Sequence, residues 1–271
     1  SGQQRESLRE ADIELCFGEH RPEDFQRAEL IVVSPGIPVQ GLQPMLPRHS
    51  WIVSELEFAS WFVQEPIIAV TGTNGKTTTV KLIQHVFAHA GKPSFLGGNV
   101  GTPLAEHVLS AGRAEVLVLE VSSFQLQNTI RFHPHVAVFL NFSANHLDYH
   151  LDMREYLLAK LKIFANQTGD DLAVLPPELL GLVREEMTTP SRVLELRPGP
   201  GAHACDGLYG WHNQVNMEAA VLCAEAFGVR RDEAGRALRD FPAQAHRLQK
   251  VEERAGVLVV NDSKATTLEA L

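Results

Sequence analysis

One short loop constrains the fold of this chain more than any other feature. Residues 70–80 read VTGTNGKTTTV, and the apolar run from Ile67 to Thr71 that leads into the glycines has the length of a strand. After the glycines, apolar side chains recur at helical spacing, at Val80, Ile83, Phe87 and Ala90. A loop between a strand and a helix N-terminus offers N–H groups and the positive end of the helix dipole, and both favour a bound phosphate.

The loop is shorter than the common phosphate-binding pattern, G-x-x-x-x-G-K-[ST]. Only two residues separate Gly72 from Gly75, and Val70 stands where the longer pattern needs glycine. A tight turn with an exposed lysine is the alternative interpretation. The strand–loop–helix context favours a phosphate site, in which the backbone amides from Gly72 to Lys76 wrap a triphosphate, Lys76 bridges the outer phosphates and the Thr77 hydroxyl binds Mg²⁺.

Two further polar features follow apolar runs of strand length. Glu120 ends the run VLVLE, at the carboxyl edge of a predicted parallel strand, where open α/β sheets bind their ligands. A carboxylate there is suited to the Mg²⁺ that Thr77 touches, and the alternative is a solvated glutamate. The segment NFSANHLDYH places His146, Asp148 and His150 in one loop, which is either a metal site or a solvated surface loop.

The order of the elements predicts an α/β fold. Strand-like apolar runs lie at 30–38, 66–71, 115–122 and 135–143, and helical patterns lie at 103–110, 153–166, 177–187, 213–227 and 231–240. Strands that alternate with helices form βαβ units, so we expect a mainly parallel sheet flanked by helices. A further strand–loop unit, AGVLVVNDSKAT, indicates that another domain starts near residue 244.

Composition limits the partners. The chain has 271 residues, and its formal net charge of −9 argues against nucleic acid and anionic membranes, which attract basic surfaces. No apolar run approaches the ~20 residues that span a bilayer, and no signal peptide is recognisable. Cys16, Cys205 and Cys223 have neither metal-like nor disulfide-like spacing, so we expect a cytoplasmic protein. The chain does not begin with methionine, and its last residues come just after a strand-like run. Both features are expected of a fragment.

In its ordered motifs, the chain resembles the Mur ligase family. TGTNGKT (71–77) is similar to that family's short phosphate loop. The other matches are SPGIP (34–38), GGNVGTPL (97–104), LEVSSFQL (119–126), NFSANHLDYH (141–150), AKLKIF (159–164), GWHNQVNMEAA (210–220), HR (246–247) and NDSKAT (261–266). They occur in the family's order over nearly the whole chain, and SSFQL, GGNVG and NDSKAT favour the branch that adds D-glutamate.

The resemblance implies an ATP-dependent amide ligase of peptidoglycan precursor synthesis. ATP would phosphorylate the terminal carboxylate of UDP-N-acetylmuramoyl-L-alanine, and the amine of D-glutamate would then displace phosphate from the acyl phosphate. A carboxylate is a poor electrophile, so phosphorylation supplies the leaving group. Two Mg²⁺ ions and Lys76 would offset the negative charge during transfer. The protein is expected to be a monomer, with neither nucleic acid nor membrane as a partner.

The same resemblance divides the chain into three parts. Residues 1–53 would belong to an N-terminal Rossmann-like UDP-substrate-binding domain, 54–243 would form the central ATP-binding P-loop domain, and 244–271 would start a C-terminal Rossmann-like amino-acid-binding domain. The family's N-terminal glycine-rich strand–loop and most of its C-terminal domain have no match here. We therefore expect this chain alone to bind ATP without turning over.

Site roles also follow from the resemblance. Catalytic roles fall to Lys76, Asn99, Glu120, His146, Lys160 and Lys264. Contacts with ATP fall to Gly72, Thr73, Asn74, Gly75, Lys76, Thr77, Thr78, Asn213, Asn216, Arg247 and Asp262. Metal ligands would be Thr77, Glu120, His146 and Lys160 as a carbamate, and substrate contacts would be Ser34, Asn99, Ser122, Ser263 and Thr266. The alternatives are helix capping for Asn213 and ordinary polar residues after a strand for the C-terminal group.

The carbamate assignment rests on the resemblance alone. Two lysines, Lys160 and Lys162, lie on opposite sides of an apolar stripe at about equal distance from its centre, so helix geometry does not choose between them. The stripe consists of Leu157, Leu158, Leu161, Phe164 and Ala165. The alternative is two surface lysines with their stems along the stripe.

Two positions depart from the family's pattern. Asn145 stands before the loop histidine, where the family usually has an acidic residue, and Trp211 stands where a basic or polar residue is common. These departures bear on the metal geometry and the adenine contacts. Three alternatives to the ligase also remain: an enzyme similar to folylpolyglutamate synthetase, a nucleotide-binding module without ligase activity, and a structural protein without ATP.

Overall fold

The structure is a computed structural model that describes residues 8, 11, 13–110, 112–188, 191–199, 203–205, 208, 210–242, 249–254, 256–261 and 263. The helices are α1 (Pro22–Phe25), α2 (Val39–Leu42), α3 (Glu55–Ser60), α4 (Lys76–His89), α5 (Leu104–Leu109), α6 (Ser123–Gln127), α7 (Met153–Leu161), α8 (Pro177–Glu186), α9 (Trp211–Ala226) and α10 (Arg231–Arg239), with 3₁₀ turns at Gln43–Met45 and Lys162–Phe164. The strands are β1 (Leu30–Val33), β2 (Trp51–Ser54), β3 (Ile67–Thr71), β4 (Ser94–Gly98), β5 (Val116–Glu120), β6 (Val136–Phe139), β7 (Leu172–Leu175), β8 (Arg192–Glu195), β9 (Gln249–Arg254) and β10 (Val257–Asn261).

The predicted α/β class is confirmed. Six strands form one sheet in the order β4-β5-β3-β6-β7-β8, and every neighbouring pair is parallel. Val70 of β3 pairs with Glu120 of β5, and Thr71 pairs with Phe139 of β6. Because parallel strands end at the same edge, the loops after β3, β5 and β6 lie side by side at the carboxyl edge.

Helices cover both faces of this sheet, which explains the continuous apolar runs of its central strands. Along β3, Ile68 and Val70 pack with α4, α9 and α10 in one core, whereas Ile67 and Ala69 pack with α3, α5, α6, α7 and α8 in another. Successive side chains of a strand point to opposite faces, so a strand buried on both faces has no polar alternation.

Two smaller sheets lie outside the central one. Strands β1 and β2 are parallel to each other, and β9 and β10 form an antiparallel pair with a register shift between Val259 and Val260. Ser54 ends β2 and caps α3, since its hydroxyl accepts a hydrogen bond from the backbone N–H of Glu57. The division into domains at 53 and 243 stays a prediction.

Several expected boundaries were wrong. The strand expected in 30–38 ends at Val33, before the Pro-Gly pair that was expected to stop it, whereas the helix expected over 153–166 ends at Leu161. Strands β2, β4, β7, β8 and β9 were missed. Of these, β4 (SFLGG) and β8 (RVLE) are the two edge strands of the central sheet. An edge strand has a neighbouring strand on one side only, so its other side stays solvated and it needs no long apolar run. No helix within the described ranges is long and apolar enough to cross a membrane.

Candidate functional site

The phosphate-type loop joins β3 to α4 at the carboxyl edge of the central sheet. Gly75 has a φ of 84°, and a Cβ there would lie 2.5 Å from Oδ1 of Asn216 on α9. Glycine is therefore needed both for the left-handed backbone and for the close approach of α9. Gly75 is also the N-cap of α4 and offers no capping side chain, so the first-turn N–H groups have no partner within the helix.

The other half of the loop is oriented differently from our expectation. The N–H of Thr73 donates to the carbonyl oxygen of Asn141 at 3.0 Å, and the N–H of Asn74 donates to Oδ1 of the same residue at 2.9 Å. Two amides expected to wrap a triphosphate are thus engaged by the segment after β6. The prediction that all amides from Gly72 to Lys76 face the phosphates was wrong for these two.

Lys76 opens α4, and its side chain folds back over the loop. Its Nζ donates to the carbonyl oxygen of Gly72 at 2.9 Å and to that of Thr73 at 2.8 Å. Because these acceptors are neutral carbonyls, a phosphate oxygen would be a stronger partner for the ammonium group. Thr78, in the first turn of the same helix, is buried.

Glu120 contacts two other predicted site residues, Thr77 and Asn99. It is 3% exposed, so the interpretation as a solvated glutamate was wrong. Its Oε2 accepts from the hydroxyl of Thr77 at 2.7 Å, and its Oε1 accepts from Nδ2 of Asn99 at 2.8 Å. Asn99 is held in turn, because its N–H donates to the Glu120 carbonyl oxygen at 2.8 Å. Both carboxylate oxygens are therefore bonded by side chains that can rotate away.

The histidine loop divides into three environments. His146 has a positive φ of 54°, which is uncommon outside glycine, and its ring lies against Phe124 and Tyr156. Burial, together with the charges of Lys160 and Lys76, lowers the pKa of His146. Asp148 is exposed, whereas His150 is buried with Nε2 2.9 Å from the Ser123 hydroxyl. The loop is thus only partly solvated.

The structure distinguishes the two lysines that helix geometry left open. Lys160 is 1% exposed, its Nζ donates to the Gly72 carbonyl oxygen at 2.8 Å, and it lies 4.7 Å from the centre of the Tyr156 ring. Burial and the neighbouring Lys76 hold the pKa of Lys160 well below its ordinary value. Lys162 points elsewhere, to the carbonyl oxygens of Gln127 and Thr129. The interpretation as two surface lysines was wrong.

The expected apolar stripe on this helix was also wrong in part. Leu158 is 39% exposed and Ala165 is exposed, while Leu157, Leu161 and Phe164 are buried. The 3₁₀ turn that begins at Lys162 changes the angular step, so the stripe does not continue at 100° per residue as far as Ala165.

Asn213 and Asn216 lie on α9 behind the loop. Asn216 accepts from the Thr79 hydroxyl at 3.2 Å and donates to Oδ1 of Asn213 at 3.1 Å, and both asparagines are buried. The N-cap of α9 is Gly210, so the capping interpretation of Asn213 was wrong. Their predicted contact with adenine stays a prediction.

The substrate-side residues are more scattered. Ser34 is exposed directly after β1, and Ser263 is exposed after β10. Ser122 is the N-cap of α6, where its hydroxyl accepts from the N–H of Gln125 at 3.3 Å in a capping box. The other four predicted residues, Arg247, Asp262, Lys264 and Thr266, lie outside the described residues.

Sequence reasoning missed two residues that contact the site. Asn141 bonds to Thr73 and Asn74, and the Tyr156 hydroxyl lies 3.4 Å from the Thr73 hydroxyl. Asn141 carried a signal, because it follows a strand in a quoted motif. Within the described part of the chain, no group of three or more His, Cys, Asp or Glu residues is arranged to hold a metal.

A parallel sheet with a short glycine loop at its carboxyl edge defines a P-loop-type α/β fold. Residues 70–194 match the Mur ligase middle domain. The chain is 49% identical over 261 residues to the UDP-N-acetylmuramoylalanine–D-glutamate ligase of Oleidesulfovibrio alaskensis, and 47% identical over 265 residues to that of Nitratidesulfovibrio vulgaris strain DP4. The alignments cover 94% and 96% of this chain. The chain belongs to the Mur ligase family, as its motifs predicted.

A solved structure supports the fold independently of close sequence similarity. The MurF ligase from Thermotoga maritima in complex with ADP superposes with a TM-score of 0.62 at 17% identity, covering 92% of this chain and 71% of that one. At this identity the likeness establishes the fold alone. The chain spans 58% and 60% of the length of the two ligases above.

Proposed function

We propose that this chain forms the nucleotide-binding part of an ATP-dependent ligase that joins D-glutamate to UDP-N-acetylmuramoyl-L-alanine through an acyl phosphate. The observation that carries the proposal is the contact of Glu120 with Thr77 and Asn99 beside the glycine loop. It puts a buried carboxylate, a hydroxyl and an amide where phosphates would bind. The names of the two relatives supply the substrates.

The loop would act on the phosphates through Lys76 and the start of α4. The ammonium group of Lys76 would leave the carbonyl oxygens of Gly72 and Thr73 for the outer phosphate oxygens. The first-turn N–H groups of α4 and the helix dipole would bind the inner phosphates. Both contributions offset negative charge that builds up during phosphoryl transfer.

The residues around Glu120 fit a magnesium ion. Magnesium prefers oxygen ligands, and the Glu120 carboxylate and Thr77 hydroxyl lie 2.7 Å apart at the strand edge. Both hydrogen bonds to this carboxylate come from side chains, so a cation can take their place without moving the backbone. When bound, the ion would neutralise phosphate charge and align the transferred group. Asn99 would then turn toward the reacting carboxylate of the substrate.

Lys160 and His146 would provide the second ion's ligands. The lowered pKa of Lys160 increases the fraction of its amine that is uncharged, and an uncharged amine can attack carbon dioxide, forming a C–N bond and releasing one proton. The resulting carbamate is an anion with two oxygen ligands. His146 borders the same Tyr156 ring as Lys160, and burial favours its neutral, metal-binding form.

The remaining assignments follow the same proposal. Asn213 and Asn216 would lie near adenine, and Ser34, Ser122 and Ser263 would approach the UDP-linked substrate. Two Mg²⁺ ions, a cytoplasmic location and a monomeric state complete it. Support for the cytoplasm is the cysteine pattern, since three cysteines without a pairing framework suit a reducing compartment.

Phosphate release by the natural full-length protein tests the function. ATP, Mg²⁺ and UDP-N-acetylmuramoyl-L-alanine are supplied, and D-glutamate, L-glutamate, L-lysine and D-alanine are offered separately. We expect release with D-glutamate only, reduced about 10²–10³-fold in Lys76→Ala, because a preorganised charge at the phosphates is lost. Lys92→Ala is the matched control, since Lys92 precedes β4 at the opposite edge of the sheet.

Each of the other outcomes would change a particular part of the proposal. Release with another amino acid would keep the ligase chemistry and change the branch. Release in a parallel mixture, with a folate in place of the UDP-linked substrate and L-glutamate as the amine, would favour the enzyme similar to folylpolyglutamate synthetase. Nucleotide binding without release from any mixture would leave a nucleotide-binding module. Equal loss in Lys76→Ala and Lys92→Ala would show that the loop lysine has no special role.

A further inference from the structure

Asn141 contacts the glycine loop more extensively than any residue that the sequence singled out. It lies two positions after β6, half-buried, and bonds to two consecutive loop residues. Its Oδ1 accepts from the N–H of Asn74 at 2.9 Å, and its Nδ2 donates to the carbonyl oxygen of Asn74 at 3.1 Å. Its own carbonyl oxygen accepts from the N–H of Thr73 at 3.0 Å.

The neighbours of Asn141 reinforce this contact. The Thr73 hydroxyl accepts from the N–H of Ser143 at 3.0 Å and donates to the Ser143 carbonyl oxygen at 3.2 Å. A Cβ at Gly72 would lie 3.1 Å from Cβ of Leu140. The first half of the loop, Gly72 to Asn74, is therefore held along its length by residues 140–143.

The chemistry of asparagine explains the pairing. Its side-chain amide has a donor and an acceptor on one planar group, so it can satisfy both the N–H and the C=O of a single residue. An aspartate can only accept, and an apolar side chain can do neither. The short loop has only two residues between its glycines, so it has few internal partners, and the neighbouring strand supplies them from outside.

We propose that Asn141 is a positioning residue of the nucleotide site. By fixing Thr73 and Asn74, it holds Gly75 in its left-handed conformation and keeps the first-turn N–H groups of α4 directed at the phosphates. Asn141 would act through the loop, because both polar atoms of its side-chain amide bond to the backbone of Asn74. This inference rests on the proposed nucleotide site and adds to it a residue from the segment that follows β6.

The test compares two asparagines in the natural full-length protein. Asn141→Ala removes both side-chain bonds, and Asn141→Leu removes them while keeping the same number of side-chain heavy atoms. Asn166→Ala is the matched control, because Nδ2 of Asn166 also donates to two backbone carbonyl oxygens, those of Ile130 and Phe132, near the amino edge of the sheet. Calorimetry gives the Kd for ADP and for MgATP, and hydrogen exchange without nucleotide follows the amide of Asn74.

We expect both Asn141 variants to bind ADP and MgATP about tenfold more weakly and to exchange the Asn74 amide at least about tenfold faster. Asn166→Ala should leave both quantities unchanged within about twofold. Asn141→Asp keeps the acceptor and loses the donor, so its exchange rate should fall between those of the natural protein and Asn141→Ala.

The two readouts separate the inference from the function on which it rests. Faster exchange with unchanged affinity would overturn the positioning role and leave only a structural contact. An unchanged exchange rate of the Asn74 amide would show that Asn141 does not hold the loop, whatever the Kd for nucleotide. If the natural protein bound neither nucleotide, the proposed function would fail and this role would fail with it. Should Asn141→Ala not fold, Asn141→Leu and Asn141→Asp provide the same comparisons.

Discussion

Two buried glutamates are held in different ways, one near the amino ends of the central strands and the other at their carboxyl ends. Glu57 on α3 is fully buried, and its carboxylate accepts from the backbone N–H groups of Arg131 and Phe132 at 2.8 Å and from the Trp61 indole at 2.7 Å. Glu120 accepts from the side chains of Thr77 and Asn99. One carboxylate has mostly fixed backbone donors, and the other has rotatable ones.

This difference fits a structural role for Glu57 and the cation-binding role that we propose for Glu120. Backbone N–H groups before β6 cannot turn away from Glu57 unless the segment unfolds, so Glu57 has no capacity for a ligand. The donors of Glu120 can rotate and give way to a cation. Burial alone does not distinguish the two residues, since both are almost inaccessible, but the type of donor does.

The largest expected effect comes from Glu120→Gln. The substitution keeps the size of the side chain and removes the charge that would bind Mg²⁺, so phosphate release by the full-length protein should fall at least about 100-fold. The midpoint of thermal unfolding should change little, because an amide can still bond to Thr77 and Asn99. Release assays at saturating Mg²⁺ and calorimetric unfolding provide the two measurements.

Glu57→Gln should do the reverse. Its NH₂ group would face backbone or indole N–H donors, leaving one unsatisfied, so the free energy of unfolding should fall by about 2–3 kcal/mol. Phosphate release per folded molecule should stay the same. If both variants lost activity and stability in equal measure, the contrast between the two glutamates would have no functional meaning.

A second prediction concerns the buried lysine. The pKa of Lys160 is lowered in the folded protein by burial and by Lys76, whereas in the unfolded chain it is about 10.4. The unfolded state therefore binds more protons between the two pKa values, and stability rises with pH across that window. Below the lower of the two pKa values, both states are protonated, and the free energy by which Lys160 destabilises the fold no longer changes with pH. In bicarbonate-free buffer, Lys160→Met should raise the free energy of unfolding at pH 7 by about 1 kcal/mol, a gain that shrinks toward pH 10.

Lys162 provides the control for that prediction. Burial lowers the pKa of Lys162 as well, but the charge of Glu57 opposes the shift, so Lys162→Met should have a smaller and flatter effect. With bicarbonate added, intact mass should show an adduct of about 44 Da on the natural chain and on Lys162→Met. Loss of the adduct only in Lys162→Met would reverse the assignment of the two lysines.

The smallest effect is expected at Ser122. As the N-cap of α6 it should contribute about 1 kcal/mol, so Ser122→Ala should lower the free energy of unfolding by that amount. Asp152→Ala is a matched variant, since Asp152 caps α7 by accepting from the N–H of Glu155 at 2.8 Å. If Ser122 also contacts the substrate, only Ser122→Ala will raise the KM for the UDP-linked substrate. An unchanged KM in both variants would limit Ser122 to capping.

Much of the central fold was predictable from local patterns. The apolar run before the glycines predicted β3 as Ile67–Thr71, and the helical spacing after them predicted α4. The same residues placed Lys76 and Thr77 at a helix N-terminus, and the separate run VLVLE placed Glu120 at a strand end. The edge strands β4 and β8 were not predictable in this way, because a strand with one solvated edge has no long apolar run to reveal it.

The sequence by itself determined β3, α4 and the motif order, because strand and helix periodicities and the conformations of glycine are properties of neighbouring residues. The tertiary structure decided which side chains meet. Helical spacing in the sequence does not distinguish Lys160 from Lys162, and only the packing of α7 against the glycine loop buries Lys160 near Lys76. Asn141 and Asn74 become partners only because β6 lies next to β3. Such contacts join residues far apart in the chain, and their energies depend on a register that no local pattern contains.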